Sequence, residues 1–197
     1  MYDVLSVTGP SSESAGIGEG GVNLANSPGD VEFTLTTTLS DVVFSAVLSD
    51  PFSQTVTVWL ASQTGPSASP PALATNSFAL TANSTQDYTV LNVPQLGPGT
   101  YWLIIGAVNQ INEAGWSLTP ITSQTAVASP GASLVSSSGG QGTAAFEPSY
   151  NFGTGISDNQ GASNFLFEID AAVPEPGSVL LIAAGLLALS RTARFRR

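Results

Sequence analysis

The chain of 197 residues contains no cysteine, no histidine and no lysine. Without cysteine there is no disulfide, no thiolate nucleophile and no soft metal site. Without histidine there is no Ser-His-Asp triad, no Cys-His pair and no histidine-ligated zinc or iron. Without lysine there is neither a Ser-Lys dyad nor a Schiff base. Basic charge is confined to Arg191, Arg194, Arg196 and Arg197, while of the 14 acidic residues only Glu175 lies beyond residue 172. The first 172 residues are therefore strongly anionic and cannot neutralise phosphates, which excludes nucleic acid and anionic membrane surfaces as their partners. They can form no Lys or Arg ion pair either, so stability must come from apolar burial and backbone hydrogen bonds. Sustained helical periodicity is missing before residue 179. So is a phosphate loop, because Gly16 to Gly21 lacks the strand-to-helix setting that such a loop requires.

What is present is alternation. Tyr2 to Thr8 has a short strand pattern, and Gly9 to Pro28 reads as a long loop with a short strand near Val22 to Leu24. Val31 to Leu39 places Val31, Phe33 and Leu35 on one face. Asp41 to Leu48 places Val42, Phe44, Ala46 and Leu48 inward, with Val43 and Val47 partly buried on the other side. Asp50-Pro51 marks a turn. Thr55 to Ser62 points Val56, Val58 and Leu60 inward and Thr55, Thr57 and Trp59 outward. Gly65 to Pro71 is a loop, and strand patterns return at Ser77 to Thr81 and Asp87 to Val93. Pro94 to Gly99 reads as a turn that launches Thr100 to Val108, the most apolar strand. Apolar side chains on both its faces indicate a central position. Gly115 to Leu118 is a strand, Ser129 to Gly142 a loop, and Asn164 to Asp170 a strand with Phe165, Phe167 and Ile169 inward. About nine short strands separated by turn residues predict an all-β fold, an antiparallel β-sandwich or jelly roll. A single short hydrophobic helix follows it at the C-terminus. The expected domains are a sandwich over 1–172 and a separate tail over 173–197.

Few residues in the sandwich can do chemistry. Glu113 and Glu147, each near an aromatic (Trp116, Phe146), are the carboxylates to weigh for a glycosidase pair, with solvated loop positions the plainer reading. Calcium accepts oxygen ligands alone. Asp158-Asn159-Gln160-Gly161 and the shared face of Glu168 and Asp170 could supply some, although an Asx turn and a solvent face explain them as well. No metal ligand set and no cofactor site is otherwise expected. Trp59, on the threonine face of its strand, is the candidate glycan contact; burial under a second layer is its alternative. Trp102 and Trp116 read as core.

The tail carries the sharpest signal. It runs Val173-Pro-Glu-Pro-Gly-Ser, then an apolar stretch from Val179 to Leu189, then the arginine cluster at 191–197. Pro174 and Pro176 fix φ and withhold two backbone donors, so this segment is extended and open to an enzyme's grip. A helix over 179–189 would be about 17 Å long, short of a bilayer core of about 30 Å. Its apolar residues supply only about −2 to −4 kcal/mol of insertion energy, and the arginines hold its end on the cytoplasmic side. A marginal anchor suits a transient hold before processing.

These three parts in this order resemble the PEP-CTERM sorting signal of exported bacterial proteins. The resemblance implies cutting near Pro174, Glu175 and Pro176 by exosortase, a membrane protease-transpeptidase, after an inner-membrane-anchored precursor stage. It implies delivery to the cell envelope, the surface or an exopolysaccharide matrix. Phe33-Thr-Leu, Val56-Thr-Val-Trp-Leu, Leu96-Gly-Pro-Gly-Thr-Tyr-Trp-Leu and Gly115-Trp-Ser-Leu-Thr, between Val31 and Pro120, are similar to sandwich domains of the choice-of-anchor group of bacterial surface proteins. That similarity implies a fold and a location, and no activity. The expected role is structural or adhesive, with a carbohydrate-binding module and a carboxylate-based glycoside hydrolase as alternatives. A sorted protein is also expected to carry a basic and apolar leader. Met1 to Ser6 has neither, so a leader is expected upstream in the in-frame DNA.

Overall fold

Val42, Phe44, Ala46 and Leu48 alternate with Val43, Ser45 and Val47, and the first set is fully buried while the second is half-buried. This one strand shows how the whole chain is built. The computed structural model describes residues 1–10, 13–16, 29–50, 53–62, 72–107, 114–120, 123–139, 156–158 and 161–172. The expectations for Val22 to Leu24, for Gly65 to Pro71 and for everything from Val173 to Arg197 lie outside those residues.

Fourteen strands are described: β1 (Tyr2–Thr8), β2 (Glu13–Gly16), β3 (Gly29–Leu35), β4 (Leu39–Asp50), β5 (Thr55–Ala61), β6 (Ala74–Ala79), β7 (Ser84–Leu96), β8 (Gly99–Ala107), β9 (Gly115–Pro120), β10 (Thr125–Ala128), β11 (Ala132–Gly139), β12 (Ile156–Asp158), β13 (Gly161–Phe165) and β14 (Phe167–Ala171). They form two antiparallel sheets. The larger has the order β10-β1-β14-β4-β9-β13-β12, with β7 on the other side of β4 and β2 on β9. The smaller is β11-β3-β8-β5-β6. Both contribute alternate side chains to one core, where Phe33 of the smaller sheet meets Phe44 of the larger at 6.0 Å between ring centroids. The all-β, two-sheet architecture is thus as the alternation predicts. Among the described residues there is no helix, and none long and apolar enough to cross a membrane.

Several boundaries differ from the sequence reading. Pro94 and Gln95 belong to strand β7 rather than to a turn. Pro94 is tolerated because β7 is at an edge of the larger sheet. The β4 residue across from it, Asp41, takes φ 50° and interrupts the ladder between Ser40 and Val42. Residues 132–139, expected in a loop, form β11, which pairs along β3 with a bulge between Leu134 and Ser136. Small residues hid it, since Ser and Ala carry little alternation. Gly131 at φ 93° makes the turn into β11, and a Cβ there would lie 2.7 Å from Thr36 Oγ1.

The stretch 164–170 is two strands rather than one, because the chain changes partners at Leu166. Ahead of it β13 pairs with β9; beyond it β14 pairs with β4 and β1. At the junction, Leu166 donates its N–H to Ser117 O (2.9 Å), and its carbonyl accepts from Val47 N–H (3.3 Å) and from the Trp116 indole (2.8 Å). Trp116 is fully buried and stacks on Phe165 at 4.3 Å. Gly29 lies against both rings so closely that a Cβ would sit 2.8 Å from Phe165 Cζ and 2.9 Å from Trp116 Cε3.

Candidate functional site

Among the described residues, three places bring potentially functional groups together. The first is the outer face of the larger sheet. Strand register puts Asp3 of β1 opposite Asp170 of β14, and Ser6 opposite Glu168. Asp3, Glu168 and Asp170 can each turn a carboxylate oxygen to within 4.8 Å of the others, and all three residues are half-buried. Ser6 donates to Asp3 Oδ2 at 2.7 Å, while Asp3 Oδ1 is shielded and has no hydrogen-bond partner among the described residues. Burial raises the Glu168 carboxyl above its ordinary value, and the negative charges of Asp170, Asp3 and Asp87 push the same way. Asp87, on β7, is raised by burial alone. The shared strand face of Glu168 and Asp170 was legible in the sequence. Asp3 was not, because only the pairing of the first strand with the last brings it there. Three single carboxylate oxygens are about half the set that calcium takes.

Beside this cluster, Asp87 and Glu168 line a hollow of about 110 Å³ together with Val7, Thr8, Gly9, Ala46, Val47, Leu166 and Phe167. Sites for drug-sized ligands run to about 300–1,000 Å³, so this hollow is small beside them. Glu113 and Glu147, the carboxylates expected for hydrolysis, lie outside the described residues, as do the Asn159-Gln160 pair and the Asp158 side chain. Asp50, a buried carboxylate, is spent on architecture: it accepts from the backbone N–H of Gln54 and so ties the end of β4 to the residue ahead of β5.

The second place is the outer face of the smaller sheet. Trp59 of β5 stands opposite Ile104 of β8, and Trp102 of β8 stands opposite Ala61 of β5. The two tryptophans are thus diagonal neighbours on one face, where such pairs sit about 7–8 Å apart. Glu32 of β3 is directly across from Trp102. Both tryptophans are half-buried, so Trp102 is not the core residue that the sequence suggested. Between them Ile104 is 1% exposed and Ala61 4%, so the surface offered at this spot comes from the two half-buried tryptophans.

The third place is where the chain leaves the sandwich. Ala171 is fully buried and pairs with Tyr2, and Ala172 donates its N–H to Ser40 O at 2.9 Å. The last described strand therefore lies inside the sheet, between β1 and β4, and holds the chain up to Ala172. A shallow apolar groove lined by Met1, Asp41, Val42, Val43, Asn92, Val93 and Pro94 opens at the same end. Pro174, Glu175, Pro176 and the four arginines follow in sequence and lie outside the described residues.

Comparison with known proteins speaks to this last place. The family model described as the PEP-CTERM protein-sorting motif matches residues 172–197. No curated protein and no solved structure matches the chain. A sorting motif is therefore present at the C-terminus, consistent with a protein exported, sorted to the surface and processed at that end. Its first matched residue, Ala172, is also the last described residue, and it is hydrogen-bonded to the sandwich.

Proposed function

We propose that this protein is cargo of a bacterial export and sorting route, and that it acts at the cell surface or in an exopolysaccharide matrix as a structural or adhesive sandwich without catalysis. The sorting motif at 172–197 carries the reading. In it, Pro174, Glu175 and Pro176 form the segment that an exosortase-type membrane enzyme grips. Residues 179–189 form a short helix that tethers the precursor in the inner membrane, with Arg191, Arg194, Arg196 and Arg197 on the cytoplasmic side. The enzyme breaks a peptide bond near the proline pair and passes the acyl half to water or to an amine. The anionic sandwich supports the same picture: with 13 acids and no base before residue 173, it gains nothing from contact with an anionic bilayer and is pushed away from it. Intact-mass measurement of the mature surface protein tests this. The expected mass lacks everything beyond the proline pair; a mature form that keeps Arg191 to Arg197 rejects processing.

A second reading is a carbohydrate-binding module. The diagonal of Trp59 and Trp102 with Glu32 opposite supports it, since sugars stack on aromatic rings and hydrogen-bond to neighbouring carboxylates. Specific binding on a glycan array that disappears with Trp59→Ala would establish this reading; no specific binding to any glycan leaves the structural role.

A further inference from the structure

The sorting motif overlaps the fold. An enzyme that cuts beside Pro174 must hold backbone on both sides of the bond in an extended form, as peptide-gripping sites do. On the upstream side that backbone is Val173, Ala172 and Ala171. Ala172 N–H is already given to Ser40 O, and Ala171 is buried in the pairing with Tyr2. Pro174 is two residues beyond Ala172, a reach of at most about 7 Å at full extension. The apolar run begins seven residues beyond it, at most about 25 Å away. That gap is narrower than a small folded domain of about 30 Å. The enzyme thus meets the wall of the sandwich on one side and the bilayer on the other.

We propose that the sandwich restrains its own processing. The end of β14, Asp170 and Ala171, together with Ala172 just beyond it, must leave the sheet before the enzyme can seat the backbone ahead of Pro174, so the fraying of this strand end sets the cleavage rate. This rests on the reading of Pro174 to Pro176 as the processing site, and it adds what controls that site. The enzyme and the sheet compete for the same backbone donors and acceptors. Strand ends open locally far more readily than whole domains unfold, so the restraint slows cutting without forbidding it. It also orders events, because a precursor whose last strand is not yet docked presents the motif unhindered, and a folded one presents it intermittently.

The test uses the full chain in a host that carries the processing enzyme, in three forms. One is unaltered. The second has about eight Gly/Ser residues inserted between Ala172 and Val173, which adds a flexible reach of about 16 Å. The third has the same insertion between Ser178 and Val179, which widens the gap to the membrane and leaves the spacing of the motif from Ala172 unchanged. Pulse-chase followed by mass measurement gives the rate of shortening for each. The second form is expected to be cut roughly fivefold faster or more, the factor that one released hydrogen bond represents, and the third no faster than the unaltered chain. Equal rates in the first two forms overturn the proposal. So does equal acceleration in the second and third, which would make the membrane gap, not the strand, the limiting feature. If no form is shortened at all, the reading of the tail as a processing signal fails, and the restraint fails with it.

Discussion

Burial raises the Glu168 carboxyl, and the neighbouring Asp170, Asp3 and Asp87 raise it further. A carboxyl that holds its proton more tightly in the folded state than in the unfolded one favours folding while protonated. Its contribution is therefore present below the ordinary value of 4.5 and is lost as pH rises through the raised value. At neutral pH Glu168 works against the fold. Glu168→Gln is expected to raise the melting temperature at pH 7 and to flatten its fall between pH 4.5 and 7, with a gain below about 1 kcal/mol because the group is only partly shielded. Melting curves across that range check it; a variant that melts lower at pH 7 would contradict it. Trp116 presents the opposite case. Trp116→Phe removes the indole donor to Leu166 O and leaves a void beside Phe165. Val47 N–H still reaches that carbonyl, so the expected loss is about 2–3 kcal/mol in urea unfolding rather than the larger cost of a fully orphaned group.

At the scale of the strand, alternation was a faithful guide wherever large apolar residues carry it. Phe33, Phe44, Val56, Val58, Leu60, Phe165, Phe167 and Ile169 are all buried as their period demands. It was silent where the residues are small: β10 is Thr-Ala-Val-Ala and β11 opens Ala-Ser-Leu-Val, so neither shows a clear face. The break at Leu166 was illegible for another reason, since nothing local marks a change of partner. The sorting motif of the tail was legible through its resemblance to a known signal, and the motif match bears out its presence, whereas Asp3 needed knowledge of which strands pair. One flank of the sandwich also shows how edges are closed. β6 belongs to one sheet and β7 to the other. Phe78 and Tyr88 bring their rings to 5.7 Å across that opening, and Asn76 donates to Val90 O at 2.9 Å. Tyr88→Ala, which also removes the acceptor for Thr81 N–H, is expected to cost about 1–3 kcal/mol in urea unfolding and to leave the core intact by near-ultraviolet dichroism.

At the scale of the molecule, charge of one sign sets the behaviour. The first 172 residues have repulsion among carboxylates and no Lys or Arg pair to lose. Salt should therefore stabilise the sandwich without the usual offset. Raising sodium chloride from low millimolar to about 0.5 M, which shortens the screening length from tens of ångströms to a few, is expected to lift the melting temperature steadily. A flat or falling response would show that the acids are too far apart to matter.

The placement of β14 has one more consequence, which concerns time. β1 and β4 do not pair with each other; the strand that joins them ends at Ala171, immediately ahead of the sorting segment. A chain that emerges in sequence order leaves the facing edges of β1 and β4 unfilled until residues 167–171 arrive. The sheet then closes only once β14 has arrived, so its completion waits on the residues that directly precede the sorting segment.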